Sequence, residues 1–88
     1  MQSKRQGAGW DCQVTISESG SQTTHAVRVE EADRDRLAGP AVPVERLVEK
    51  SFEFLLAREP KESILRSFAL PLIGRYFPEY EREVRKLL

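Results

Sequence analysis

The chain is poor in the residues that usually carry chemistry. It has a single cysteine, Cys12, so no internal disulfide can form and stability has to come from packing. That suits a reducing compartment. There is a single histidine, His25, and one Cys with one His cannot furnish a four-ligand zinc site. No apolar run approaches the roughly 18 or more residues of a membrane span. The opening MQSKRQGAGW lacks the apolar centre of a secretory signal, so the expected location is cytoplasmic. A phosphate-cradling loop is absent too, because Gly7 and Gly9 have neither the following helix nor the lysine of a P-loop. An excess of basic charge is also missing: 14 Lys and Arg balance 14 Asp and Glu. Proteins that hold nucleic acid by counterion release carry at least a local basic excess. Only residues 1–10, with Lys4 and Arg5 and no acid, are plainly basic, and two charges do not make an arm. The expectation is a chain without cofactor or metal that is not an enzyme.

What is present is a pattern of alternation and helical spacing. Hydrophobic residues at 40% and charged residues at 32% of 88 suit one folded unit with one core. The expected organisation is a flexible tail over 1–9 and a single α+β domain over 10–88. In WDCQVTIS (10–17), Trp10, Cys12, Val14 and Ile16 fall on one face, as in a half-buried strand. TTHAVRVE (23–30) alternates again, with His25, Val27 and Val29 inward. The polar ESGSQ between them, with Gly20 free to take positive φ, makes the pair a β-hairpin. EADRDRLA (31–38) is read as a short helix anchored by Leu37 and ended by Gly39-Pro40.

The central element is PVERLVEKSFEFLLARE (43–59), the longest helical pattern. Val44, Leu47, Val48, Phe52, Leu55 and Leu56 recur on one face, with Pro43 in the first turn. Phe54 lies off that stripe, so either the helix is buried on two sides or Phe54 marks where a partner docks. Beyond it, prolines punctuate the chain. Pro60, Pro71 and Pro78 are each read as the start of a short helix, over 60–68, 71–77 and 78–88. The fold expected is an N-terminal antiparallel β-hairpin packed on a small bundle of one long and several short helices. Its core should include Trp10, Val14, Ile16, Val27, Val29, Leu37, Leu47, Val48, Phe52, Leu55, Leu65, Phe68, Ile73, Phe77 and Val84.

Few residues invite a functional reading, and each has a plainer one. His25 has only Thr23 and Thr24 beside it, no orienting carboxylate, and reads as a half-buried hairpin residue. Cys12 shares the inward parity of Val14 and reads as a buried, inert thiol. The acids Glu30, Glu31, Asp33 and Asp35 are interleaved with Arg34 and Arg36, which is a solvated helix face and not a cation site. Two nucleic-acid templates deserve weighing. A ribbon-helix-helix arrangement matches the order of strand 27–29 and the helices 31–38 and 43–59. Its outward set would be Ala26, Arg28 and Glu30, and a glutamate facing phosphates is unfavourable. A helix-turn-helix over Ser63–Phe77 would place Arg75 on the second helix, yet Ala69 stands where that turn usually has glycine. The candidate contacts of a nucleic-acid-binding reading, taken together, are Arg28, Arg75, Arg82 and Arg85. The group Arg75, Tyr76, Phe77, Tyr80 and Arg82 has the composition of an interface hot spot, or else packs as core.

The stretches FEFLLAREPKESIL (52–65) and RYFPEYE (75–81), with Phe68 and Ile73 between them and His25-Ala26-Val27-Arg28-Val29 before them, resemble small bacterial proteins of unknown function. In those, a hairpin of the HxVxV type precedes such a helical tail. The resemblance spans about residues 12–82 and implies a compact, free-standing accessory protein. It brings no catalytic or binding residue with it. The function expected is a protein-interaction or accessory module, with a homodimer as one form of it. Its candidate interface is Phe54, Arg75, Tyr76, Tyr80 and Arg82, and an unidentified protein or a second copy is the expected partner. A small DNA- or RNA-binding regulator is the alternative.

Overall fold

Alternation of apolar side chains sets the centre of the sheet. In the computed structural model, which describes residues 1–88, β2 (Gly9–Glu18) and β3 (Ser21–Glu30) pair antiparallel, with Cys12 opposite Val27 and Val14 opposite His25. Cys12, Val14, Ile16, His25, Val27 and Val29 are buried on the inner face, and a register slip of one residue would turn all of them outward. The connecting turn is tighter than the five polar residues suggest. Ser19 and Gly20 alone make it, at φ 51° and 77°, the paired positive values of a type I′ hairpin.

The architecture is α+β, with a four-stranded sheet ordered β1-β2-β3-β4 and four helices. The hairpin is therefore the middle of a larger sheet, not a two-stranded layer of its own. The first added strand corrects the reading of residues 1–9 as a flexible tail: Gln2–Gln6 form β1, antiparallel to β2. Gly7, at φ 56°, lets the chain reverse there. Polar contacts fix the strand. The Arg5 guanidinium lies over the Trp10 ring, 4.8 Å from its centre, and donates to Glu31 at 2.7 Å. The Ser3 hydroxyl donates to the Glu45 carboxylate, and the Glu31 N–H donates to the Ala8 carbonyl at 2.9 Å.

Helix α1 (Glu31–Leu37) buries Leu37, and Gly39, at φ 91°, closes it by donating to the Arg34 and Asp35 carbonyls. Helix α2 (Val44–Leu56) starts one residue after Pro43 and stops at Leu56, short of Glu59. The N–H groups of Arg58 and Glu59 both turn back to the Leu55 carbonyl, and Pro60 has none to continue with.

The next stretch departs most from the sequence reading. Residues 60–68 are not a helix. Lys61–Ser63 make one 3-10 turn, the chain extends, and Ser67–Ala69 form β4, parallel to Ala26–Arg28 of β3. The spacing of Ile64, Phe68 and Leu70 serves an extended chain as well as a helix: Ile64 and Leu70 are buried and Phe68 is half-buried. Leu65, expected in the core, points outward and is 46% exposed. Pro71 sits in a second 3-10 turn (Leu70–Leu72), which runs into the single-turn α3 (Ile73–Tyr76). After Pro78, α4 (Tyr80–Leu87) returns to α2 and buries Tyr80 and Val84. Trp10 and Phe77, also expected inside, are only partly buried against the core.

Candidate functional site

The aromatic group proposed as an interface divides into core and surface. Phe54 is 2% exposed. Its ring meets Phe77 edge-on at 5.8 Å and Tyr80 at 5.3 Å, and the Arg58 guanidinium caps it 3.6 Å from the centroid. The central helix is thus buried on two sides, and Phe54 is not available to a partner. Tyr80 is corrected in the same way. It is buried, its hydroxyl donates to the Ser51 hydroxyl at 2.6 Å, and Ser51 donates on to the Leu47 carbonyl at 2.8 Å. Burial pushes the Tyr80 phenol up to about 12. Arg75, Tyr76 and Arg82 remain at the surface, and Tyr76 is 66% exposed.

Around Tyr76 the surface is concave. A groove of about 400 Å³ lies between the C-terminal end of α2, the stretch leading into β4, and α3. Leu55, Ile64, Leu65, Phe68, Leu72, Ile73, Tyr76 and Phe77 line it, with Glu59 and Ser63 as its polar members. Local sequence builds each wall. Pro60 turns the chain off α2, the extended segment sets Ile64 into the core and Leu65 on the rim, and Pro71 turns the chain again so that α3 faces α2. Sequence reasoning missed Glu59, Leu65 and Leu72 as surface residues of one site. The signal that could have found Leu65 was the shared parity of Ile64, Phe68 and Leu70, which in an extended chain leaves Leu65 on the opposite face.

His25 holds this segment in place. A backbone carbonyl only accepts, so the 2.7 Å contact to the Leu65 carbonyl requires a proton on Nδ1. The other nitrogen is hydrogen-bonded to the Thr23 hydroxyl at 2.9 Å, and the ring tilts against Phe52 at 5.5 Å. A residue that reads as an incidental hairpin histidine is a fully buried strut between β3 and the rim of the groove. Cys12 is buried as well. Burial first, and the carboxylates of Glu45 and Asp11 after it, push its thiol up to about 11, which disfavours a thiolate. No three His, Cys, Asp or Glu side chains gather as a metal-holding group.

The four arginines proposed for nucleic acid do not form one free set. Arg28 is engaged by Glu30 at 3.0 Å and Asp11 at 3.3 Å, and Arg85 lies 3.9 Å from Glu81 while bonding the Arg36 carbonyl. Neither template fits the backbone. The ribbon-helix-helix arrangement needs a strand free to pair with its copy, but β3 has β2 on one side and β4 on the other. The helix-turn-helix needs a helix where Ser67–Ala69 are a strand. Compared with protein-family models, curated proteins and solved structures, the chain matches none of them.

Proposed function

We propose that this chain is a non-enzymatic protein-interaction module that takes its partner on the groove beside Tyr76. The observation that carries the reading is an apolar concavity rimmed by two exposed apolar side chains, Leu65 and Tyr76. Contiguous exposed apolar surface costs solubility and usually marks a contact site. No helix here is long and apolar enough to cross a membrane, and the single buried thiol suits work in a reducing cytoplasm.

Self-association through a sheet edge is the less favoured form of this reading. The open edge strand β1 carries Lys4 and Arg5, and cationic side chains on an edge oppose pairing with a second copy. The test is affinity capture at low and high salt with wild type, Leu65→Asp and Tyr76→Asp, identifying both protein and nucleic acid. The expected result is a protein held by wild type at high salt and lost from both variants. Nucleic acid retained equally by all three, and only at low salt, would overturn the reading in favour of a DNA- or RNA-binding regulator.

A further inference from the structure

We propose that the partner adds an extended strand to the outer edge of β4, and that this strand has acidic flanks and seats an apolar side chain in the groove. This rests on the protein-interaction reading above and names the form and charge of the partner.

The sheet has two edges, and they differ. Strand β1 is guarded by Lys4 and Arg5, whereas Ser67–Ala69 of β4 holds neither a charge nor a proline. In a parallel ladder, alternate residues of a strand bond the same neighbour. Ala26 donates to the Arg66 carbonyl, and Ala26 and Arg28 stand opposite Ser67 and Ala69. The bonds to β3 therefore fall to Arg66, Phe68 and Leu70. The Ser67 N–H and C=O and the Ala69 N–H point out of the sheet, and both residues are exposed. An unguarded edge of this kind is where extended segments add.

The edge and the groove form one surface. Residues opposite each other on paired strands send their side chains to the same face. Phe68 points to the helix side, where its ring meets Phe52 at 6.1 Å and lines the groove with Leu72 and Tyr76. A residue added opposite Phe68 enters the groove beside it. Its two neighbours point the other way, over a depression of about 330 Å³ that the small Ala26, Ser67 and Ala69 leave on the outer face of the sheet. A helix laid over this margin would take water from the edge groups without pairing them, which is costly.

Charge at the margin favours acid. Five Lys and Arg side chains have no carboxylate within 4.0 Å: Lys4, Arg46, Arg66, Arg75 and Arg82. Two of them border this site, Arg66 immediately before β4 and Arg75 immediately before Tyr76, and both are exposed. Against them stands one unpaired acid in the lining, Glu59, while Lys61 and Glu62 cancel at 2.6 Å. A basic segment therefore meets two like charges and one opposite, and an acidic segment meets the reverse. A second copy of this chain would bring the same positive surplus against itself.

The test uses fluorescent extended peptides that alternate isoleucine with threonine and differ in their flanks: aspartate, glutamine or lysine. Two further aspartate-flanked peptides control for form. One is the same sequence N-methylated throughout, and the other is helical with leucines at i, i+4 and i+7. Binding is followed by anisotropy, with amide-shift and amide-exchange mapping of the protein. The extended aspartate peptide should bind most tightly, shift Leu65, Phe68 and Tyr76, and slow exchange at Ser67 and Ala69. N-methylation should weaken it roughly tenfold. The double variant Arg66→Gln, Arg75→Gln should weaken it roughly three- to tenfold and leave the glutamine peptide unchanged. Because neither arginine makes an ion pair, this variant should fold as wild type does. If the helical or N-methylated peptide binds the groove as well as the extended one, or if the lysine flanks bind as well as the aspartate ones, the acidic strand is overturned and the interaction reading stands. If no peptide shifts groove residues, both fall.

Discussion

Phe54 is one ring with neighbours on every side: Phe77 and Tyr80 at its edges and Arg58 over its face. Phe54→Ala should therefore cost about 3–5 kcal/mol of unfolding free energy by urea titration, the loss expected of a core aromatic. A docking residue would have shown little change. Tyr80 and Cys12 make a second, pH-dependent statement. Both are acids whose neutral forms the folded state favours, Cys12 raised from 9.0 to about 11 and Tyr80 from 10.0 to about 12. Between those values the unfolded chain gives up protons that the folded chain keeps, so stability falls as pH rises. Urea midpoints should be level up to about pH 9 and decline from there to about pH 12. Tyr80→Phe should remove the upper part of that decline, at the expense of about 1 kcal/mol at neutral pH for the lost hydrogen bond to Ser51.

Among the elements, those with their own periodicity were legible and those held by distant partners were not. The strands β2 and β3 announce themselves by strict alternation, and α1 and α2 by helical spacing closed with Gly39 and Pro60. Strand β1 is QSKRQ, with no apolar residue at all; what makes it a strand is Arg5 on Trp10 and Ser3 on Glu45. Strand β4 is three residues long and exists because Ala26 donates to the Arg66 carbonyl across the crossover. Phe54 was ambiguous because the helix that covers it, α4, lies far along the chain. The close fit of the sheet is testable at Gly9. A Cβ there would stand 2.4 Å from the Val29 carbonyl oxygen and 3.0 Å from the Glu30 Cα, both backbone atoms that cannot swing aside. Gly9→Ala should cost about 1–3 kcal/mol in thermal or urea unfolding, as overpacking does.

For the whole molecule, stability and recognition should separate cleanly. The core runs from the inner face of the sheet through α2 to α4, while Leu65 and Tyr76 stand at its margin. Leu65→Asp and Tyr76→Asp should leave unfolding free energy within about 0.5 kcal/mol of wild type, as substitutions at exposed positions do. The same two variants are expected to lose the partner. The groove itself was only half legible. Its residues stood out as apolar, but which of them face water depends on β4 being a strand, and nothing local decides that.

The shortness of β4 has a consequence for motion. Between the buried anchors Ile64 and Leu70, the backbone at the rim of the groove is tied to the sheet by three residue pairs to β3 and the hydrogen bond from His25 to Leu65. Segments held by so few contacts are the first to open in brief excursions that leave the rest of the fold intact. An occupant that seats between Leu65 and Tyr76 would close this seam, so binding would slow amide exchange at Ala26, whose N–H spans it.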